Sequence, residues 1–253
     1  NQIINHKNSL QKLVEKNNID FQIQHAFNYA EKFQIPVIVL TEKVIAESIM
    51  SVPKFEQNKI KIDRGIVPEA DLVNLKNSDR YKITDNGISP RWLPTTADAY
   101  YFANGDEHWE SGELSEDELP NQLMYAKRNR KLVTLEDSLP EPEIFGVAKN
   151  ADISFVGWGS SKNIMLDTFE ECKINNLNCN YLHFSYVYPL KVEKLKKFFK
   201  ENKNVHLIEG NYQGQLGNYI QAKTNLNFKG KLLKFNGRPF FTEDLQEYIA
   251  NNI

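Results

Sequence analysis

The sequence has few of the features that mark several large classes of protein. Its two cysteines, Cys172 and Cys179, are too few for a disulfide scaffold, a structural zinc site or an iron–sulfur cluster held by this chain alone. The longest uninterrupted apolar run, residues 35–40, is far shorter than the roughly 20 residues of a membrane-spanning helix. The formal net charge of -2 gives no electrostatic basis for binding nucleic acid or an anionic membrane. We therefore expect a reduced, cytoplasmic protein without nucleic-acid or membrane partners.

An initial methionine is also absent, since the chain begins with Asn1. We interpret this start as the mark of a trimmed or processed portion of a longer protein. The 253 residues are 41% hydrophobic and 25% charged, which is typical of a globular protein with one large or two modest domains.

The first part of the sequence predicts an incomplete α/β domain. The spacing of apolar residues indicates helices over 10–16, 21–33 and 44–50. Between the last two, Ile35–Leu40 is rich in β-branched residues and predicts a strand buried on both faces. Because one strand cannot form a sheet, we interpret residues 1–50 as the tail of a larger domain.

A connector and a helix follow. Residues 51–94 lose this periodicity and contain four prolines, which predicts a long ordered connector. Ser115 and Glu118 form a capping box, which indicates a helix that begins there and runs to about Leu132. A cluster of cations near its end suits the helix dipole, and a phosphate-binding patch is the alternative. The cations are Lys127, Arg128, Arg130 and Lys131.

The last hundred residues alternate regularly between strand and helix patterns. Strands are predicted over 152–157, 181–185, 204–209 and 231–235, and helices over 161–175, 191–202, 213–224 and 242–251. Such alternation indicates an α/β fold, with a mostly parallel sheet and helices on both of its faces.

Two turns follow strands of this sheet, at the position where open α/β sheets bind ligands. The first contains Gly157, Gly159 and Ser160, and the second contains Asn211 and Gln215. Neither has the spacing of a phosphate loop or of a dinucleotide fingerprint. If their strands are parallel, both turns lie on the same edge of the sheet. The first is either a structural or subunit-contact turn or an anion site, and the second allows close helix–sheet packing or contacts a neighbouring chain.

Two further stretches carry charged candidates. Residues 106–112 place Glu107 and other carboxylates around His108, but no second histidine stands at a metal-binding spacing. We interpret this stretch as a hydrogen-bonded loop or interface, with acid–base chemistry and a metal site as alternatives. The turn at 236–239 carries Arg238, either a surface arginine or the partner of a carboxylate. The other histidines stand alone and favour structural roles, and no Ser-His-Asp or Cys-His set is present.

Several motifs occur in a fixed order from about residue 21 to the end of the chain. They are Ala30-Glu31-Lys32 with Pro36–Leu40, Arg80–Arg91, Asp106–Gly112, Lys127–Leu132, Val156–Ser160, Glu209–Asn211 with Gly214–Leu216, and Lys234 with Gly237–Phe240. In this order they resemble the alpha subunit of the 2-oxoacid:ferredoxin oxidoreductases, of the 2-oxoglutarate type. The same resemblance adds Arg91 to the candidate interface or ligand residues.

The resemblance implies a part of a thiamine diphosphate enzyme. Such enzymes oxidatively decarboxylate a 2-oxoacid, pass electrons through iron–sulfur clusters to ferredoxin, and form an acyl-CoA. Residues 1–50 would end the domain that faces the thiamine pyrimidine ring, 51–150 would be the connector and helix, and 151–253 a transketolase C-terminal-like domain. Thiamine diphosphate, magnesium, the iron–sulfur cluster and CoA would belong to the assembled enzyme, with a beta subunit and ferredoxin as partners.

The residues that activate thiamine in this family lie upstream of the first motif matched here. They are a glutamate that contacts the pyrimidine, a Tyr-Pro-Ile-Thr-Pro segment and a substrate-binding arginine, and we find none of them in this sequence. We therefore expect the chain alone to bind no cofactor and to catalyse no decarboxylation, while it contributes architecture and a subunit interface. The alternatives are a non-catalytic assembly module and a free-standing anion-binding α/β protein.

Overall fold

The computed structural model describes residues 19–47, 49 and 61–253, which form two compact units. Residues 19–39 and 61–138 make up the connector unit. Residues 40–47, 49 and 139–253 make up the sheet unit, which holds every strand assigned within the described residues. The helix predicted over residues 10–16 lies outside the described residues.

The sheet unit is built on a five-stranded sheet of order β1-β3-β2-β4-β5. The strands are β1 (Glu143–Gly146), β2 (Ile153–Trp158), β3 (Cys179–Phe184), β4 (Val205–Glu209) and β5 (Gly230–Leu233). The neighbouring pairs β3–β2, β2–β4 and β4–β5 are parallel. β1 lies at one edge of the sheet, antiparallel to β3. The predicted mostly parallel sheet is confirmed. Its edge strand β1 was not predicted, because four partly exposed residues give no apolar run.

The helices of the described residues are α1 (Ile19–Phe33), α2 (Lys43–Ala46), α3 (Glu118–Ser138), α4 (Ser161–Ile174), α5 (Glu193–Glu201), α6 (Gln215–Thr224) and α7 (Thr242–Ala250). The four helices predicted after residue 160 correspond to α4 through α7. Within the described residues, no helix combines the length and the apolar character that a bilayer crossing requires.

Helices cover both faces of the sheet because successive side chains of a strand point to opposite faces. Phe155 of β2 belongs to the apolar cluster that contains Met165 of α4 and Leu245 of α7. Its neighbour Val156 belongs to the cluster on the other face, which contains residues of α5 and α6, such as Leu195. All of these side chains are fully buried. The expected helices on both faces are therefore present.

Residues 61–117 of the connector unit have little regular structure. They contain two short 3-10 helices, Glu69–Asn74 and Asn77–Tyr81, joined by turns, bends and irregular backbone. Trp92 anchors this stretch, since it is 2% exposed and its Nε1 donates to the carbonyl oxygen of Ala99 at 3.1 Å. The connector is thus ordered by buried aromatic and polar contacts rather than by strands.

The strand predicted over Ile35–Leu40 is wrong, because these residues form no strand in the structure. Ile38 is 82% exposed and Leu40 is 59% exposed. Apolar, β-branched side chains favour a strand only where another backbone pairs with it, and no strand of the described residues does so. The adjoining helix, predicted over 44–50, is α2 at Lys43–Ala46, and parts of its predicted range lie outside the described residues.

Gly146 at the end of β1 generates a prediction about the edge of the sheet. Its φ is 85°, and a Cβ there would lie 2.2 Å from the carbonyl oxygen of Cys179. We expect Gly146→Ala to lower the free energy of unfolding by about 2 to 4 kcal/mol, because positive φ and a clash with backbone act together. Urea unfolding followed by circular dichroism measures this change.

Gly210→Ala is the matched control, because a Cβ at Gly210 meets no atom within 4 Å. It should change the unfolding free energy by less than about 1 kcal/mol. Equal losses in the two variants would contradict the role given to the Gly146 conformation.

Candidate functional site

The two predicted turns meet at the carboxyl edge of the sheet, because β2 and β4 are adjacent and parallel. The first turn lies between β2 and α4, and the second lies between β4 and α6. The indole Nε1 of Trp158 joins them by donating to Oε1 of Glu209 at 3.1 Å. The candidate residues brought to this edge are Gly157, Gly159, Ser160, Asn211 and Gln215.

Glu209 fills the amino-terminal end of α6 with its own carboxylate. Its side chain is buried, and its oxygens accept from the amide of Leu216 at 3.0 and 3.1 Å and from Nδ2 of Asn211 at 2.7 Å. The positive end of the helix dipole favours this negative charge. Asn211 in turn accepts a hydrogen bond from the amide of Gly214 at 2.7 Å. The amides of Gly214 and Leu216, where the second turn leads into α6, are therefore satisfied from within the chain.

Two glycines at this edge allow close contacts with β4. A Cβ at Gly217 would lie 2.4 Å from Cδ2 of Leu207, which supports the close helix–sheet packing interpretation of the second turn. A Cβ at Gly157 would lie 2.8 Å from the carbonyl oxygen of Ile208, so this glycine allows β2 and β4 to lie close together. Gln215, by contrast, has an exposed side chain.

The first turn binds a carboxylate from a distant part of the sequence. Glu42 accepts a hydrogen bond from the amide of Ser160 at 3.1 Å and another from the Ser160 hydroxyl. Gly159 has a φ of 63°, and a Cβ there would lie only 2.5 Å from Oε1 of Glu42. Glycine is therefore needed for this approach. The anion at this turn is the protein's own carboxylate.

A buried hydrogen-bond chain lies beneath the first turn. The hydroxyl of Ser161 donates to the carbonyl oxygen of Trp158 at 2.6 Å, and it lies 2.9 Å from the hydroxyl of Tyr181. That hydroxyl lies 2.9 Å from Nδ1 of His183. Burial, assisted by the charge of Lys162, lowers the pKa of His183 to about 3, so the imidazole is neutral. Its Nδ1–H then donates to Tyr181, whose own hydroxyl donates to Ser161.

Lys162 joins the edge strand to the helix that follows the first turn. The side chain of Lys162 is 3% exposed and pairs with Glu143 at 2.9 Å. Its ammonium also lies 4.5 Å from the ring centroid of Phe145, close enough for a cation–π interaction. The lysine thus holds β1 against α4, although a cation in the first turn of a helix opposes the helix dipole.

The predicted candidates Glu107 and His108 lie in the connector unit. Arg128 of α3 donates to both oxygens of Glu107, at 2.8 and 2.5 Å. The hydrogen bond from Arg128 also lowers the pKa of Glu107. The ring of His108 contacts that of Tyr81 in a tilted arrangement with centroids 4.2 Å apart, and its Nδ1 lies 2.8 Å from the carbonyl oxygen of Trp109. These contacts fit the hydrogen-bonded loop that the sequence suggests.

The two arginine candidates differ in their surroundings. Arg91 pairs with Glu31 at 2.7 Å and donates to the carbonyl oxygen of Arg64 at 2.6 Å, all within the connector unit. Arg238 is exposed, and its amide donates to Oδ1 of Asn236 at 3.1 Å in the predicted turn. Arg91 is therefore held in place by the fold, and Arg238 is accessible to solvent.

The cations of α3 donate to backbone carbonyls of the connector. Lys127 donates to Tyr81 at 2.7 Å, and Arg130 donates to Thr84 at 3.2 Å. Gly87 allows this close contact, since a Cβ there would lie 2.4 Å from the amide of Lys131. The helix extends to Ser138, so the cations do not lie in its last turn and the predicted helix end is wrong. Their partners lie outside the helix, and sequence spacing does not reveal them.

The described residues contain no group of three or more His, Cys, Asp or Glu side chains that could hold a metal ion. Both ring nitrogens of His206 have partners, the hydroxyl of Tyr248 at 2.9 Å and Oδ1 of Asn204 at 2.8 Å. The polar groups at the carboxyl edge are likewise bonded to one another. Taken together, these contacts position helices and strands within each unit.

Sequence reasoning missed Glu42 and Tyr181. Glu42 is separated from Ser160 by 118 residues, so no local pattern could connect them. Tyr181 gave a weak signal, because a tyrosine in a buried strand needs a hydrogen-bond partner for its hydroxyl.

Comparisons with known proteins identify relatives of the chain. No protein-family model matches the chain. It is 34% identical over 233 residues to 2-oxoacid:ferredoxin oxidoreductase 1, subunit alpha, of Sulfurisphaera tokodaii, a match that covers 90% of this chain and 36% of that protein. The alpha subunit of Saccharolobus solfataricus is 33% identical, over 88% of this chain and 35% of that protein.

Along these matched residues, the chain is similar to 2-oxoacid:ferredoxin oxidoreductase alpha subunits. It spans about a third of the length of the curated relatives it matches. A solved structure agrees, the 2-oxoglutarate:ferredoxin oxidoreductase from Magnetococcus marinus with 2-oxoglutarate, coenzyme A and succinyl-CoA bound. The TM-score is 0.70 at 25% identity, over 89% of this chain and 38% of that chain.

The contact between Glu42 and Ser160 leads to a prediction about stability. Glu42→Ala should lower the unfolding free energy by about 1 kcal/mol, because the carboxylate satisfies an amide at the start of α4. The same substitution in a Ser160→Ala background should have a smaller effect, since the two side chains interact. Urea unfolding of both single variants and the double variant measures the coupling.

Glu47→Ala combined with Ser160→Ala is the control, because Glu47 pairs with Lys43 instead. That pair of substitutions should be additive. Additivity for Glu42 and Ser160 as well would show that their contact is absent in solution.

Lys127 generates a prediction about pH. It is 6% exposed, and burial lowers its pKa from 10.5 to about 8. Between these two values the unfolded chain binds the proton and the folded chain does not, so Lys127 increases stability as the pH rises from 8 to 10.5. Relative to Lys127→Met, the natural chain should gain about 2 to 3 kcal/mol between pH 7 and pH 10. Urea unfolding at the two pH values measures this gain.

Lys61→Met, at an exposed lysine of the same unit, should show no such pH-dependent difference. A gain of the same size in both comparisons would contradict a lowered pKa at Lys127.

Proposed function

We propose that this chain serves as part of the alpha subunit of a thiamine diphosphate-dependent 2-oxoacid:ferredoxin oxidoreductase. The assembled enzyme would act in the cytoplasm, decarboxylate 2-oxoglutarate or a related 2-oxoacid oxidatively, and form an acyl-CoA. The observation that carries this proposal is the 34% identity to a subunit of that name over 90% of the chain. Within the assembly, the chain contributes framework and a subunit interface.

The described residues do not fit the cofactors of such an enzyme. Activation of thiamine requires a carboxylate at its pyrimidine ring, and Glu209 is the one buried carboxylate of the described ranges. Its oxygens are already bound to Leu216, Asn211 and Trp158. An iron–sulfur cluster is commonly held by four cysteines, and the sequence has two. We therefore assign thiamine diphosphate, magnesium and the cluster to other parts of the assembly, including a beta subunit.

The segment Pro36–Leu40 is the interface that we propose for this assembly. Ile38, Val39 and Leu40 are 82%, 53% and 59% exposed, although apolar side chains of this kind are usually buried. No backbone hydrogen bond of this segment occurs within the described residues. An extended segment with unpaired amides and apolar side chains is suited to join the edge of another sheet. The partner would be the thiamine-binding part of the complex.

An activity measurement tests the proposal. The purified 253-residue chain, given CoA, thiamine diphosphate, magnesium and 2-oxoglutarate or pyruvate, should reduce methyl viologen no faster than buffer. The physical reason is that Glu209, the one buried carboxylate of the described ranges, is already hydrogen-bonded within the chain. Addition of a thiamine-binding alpha-subunit segment and an iron–sulfur beta subunit should yield a complex that is active. Turnover by the chain alone would overturn this assignment.

A variant tests the proposed interface by copurification with the same added segment. Ile38→Asp should abolish copurification with the thiamine-binding segment, because a charge cannot be buried in a sheet without a partner. Ile174→Asp is the control, since Ile174 is also largely exposed, at 79%, but lies at the end of α4. Equal binding by both variants would argue against Pro36–Leu40 as the contact.

The alternative functions make different demands on the chain. A non-catalytic assembly module would bind the same partners, but no added segment would produce activity. A free-standing anion-binding protein would need open amides at its turns, and Glu42 and Glu209 occupy those amides. The internal carboxylates therefore favour the framework function.

A further inference from the structure

Two cysteine thiols lie side by side in the core of the sheet unit. Cys172 is in the last turn of α4, and Cys179 is the first residue of β3. Both are buried and free, and their Sγ atoms are 2.8 Å apart. A disulfide bond is about 2.05 Å long, so roughly 0.8 Å of further approach would join the two atoms.

The loop between these cysteines is held by short hydrogen bonds. The amide of Leu177 donates to the carbonyl oxygen of Cys172 at 2.8 Å. The carbonyl oxygen of Asn178 accepts a hydrogen bond from the amide of Asp152 at 2.8 Å. The amide of Asn178 donates to the carboxylate of Asp152 at 2.7 Å. The backbone therefore holds both thiols in position, and the approach of the sulfurs requires only small movements of side chains.

We propose that Cys172 and Cys179 form a reversible intramolecular disulfide, which makes them a redox modification site of the sheet unit. With hydrogen peroxide as oxidant, the Cys172 thiolate attacks one oxygen, the O–O bond breaks, and hydroxide leaves and takes up a proton as water. The resulting sulfenic acid is attacked by the Cys179 sulfur, the S–S bond forms, and the sulfenic oxygen leaves as a second water. Two electrons pass from the thiols to the peroxide, and a dithiol reductant reverses the process.

The geometry assigns different roles to the two sulfurs. Cys179 donates its S–H to the sulfur of Cys172, and this hydrogen bond lowers the pKa of Cys172. The same contact, together with burial, raises the pKa of Cys179. Cys172 is therefore the thiolate that reacts first, and Cys179 is the resolving thiol. The surrounding apolar cluster, which includes Ile153 and Phe169, admits small oxidants better than bulky reagents.

Mass spectrometry of the full chain tests the proposal. The reduced chain is treated with a small excess of hydrogen peroxide, unfolded in N-ethylmaleimide and digested. We expect a peptide pair cross-linked through Cys172 and Cys179, no maleimide adducts, and recovery of both adducts after dithiothreitol. The oxidised chain should also melt several degrees higher than the reduced chain, because the new bond ties α4 to β3. Sulfinic acid without a cross-link, or only disulfides between chains, would overturn the proposal.

Single variants separate the roles of the two thiols. Cys179→Ser should accumulate a sulfenic acid at Cys172 that dimedone traps, whereas Cys172→Ser should give little trapping at Cys179. Equal trapping at both positions would contradict the assigned order of attack. The cross-link in the natural chain does not depend on these variants, so it decides the proposal even if one variant folds poorly.

Discussion

The carboxylate of Glu209 is the contact around which the carboxyl edge of the sheet is arranged. It is the last residue of β4, and it accepts hydrogen bonds from Trp158 at the end of the central strand β2 and from the amide of Leu216 in the first turn of α6. Removing the charge would leave buried donors unpaired at the junction of two strands and a helix. The same device recurs nearby, because Asp244 accepts from the amide of Phe241 at the start of α7. At α4, Glu42 performs this function from a distant part of the sequence.

In this arrangement, the chain's own carboxylates occupy an edge that commonly binds ligands. In open α/β sheets, amides at helix starts bind phosphates and other anions. In this chain, amides at the starts of α4, α6 and α7 donate hydrogen bonds to internal carboxylates instead. The connector unit is ordered by complementary contacts, in which cations of α3 donate to carbonyls near Tyr81 and Thr84. Both units thus use charged side chains to satisfy their own backbone.

Much of the fold was predictable because its signals are local. The apolar runs of β2, β3 and β4, separated by amphipathic helices, identify a parallel-rich sheet without knowledge of any contact. Two features were not predictable for physical reasons. β1 is four partly exposed residues long, and it exists only because β3 offers an edge for pairing. The segment Pro36–Leu40 has the composition of a strand, but no neighbouring strand among the described residues pairs with it.

The sequence by itself determined the order of elements after residue 150, the two turns at the same sheet edge and the family resemblance. These depend on residue spacing along the chain, which the sequence records directly. The tertiary structure alone decided what each turn contacts, because Glu42 and Ser160 are 118 residues apart. It also decided that Cys172 and Cys179 face each other, since the six residues between them can direct the two side chains toward or away from one another. Partners far apart in sequence are fixed by packing, and packing depends on the whole chain at once.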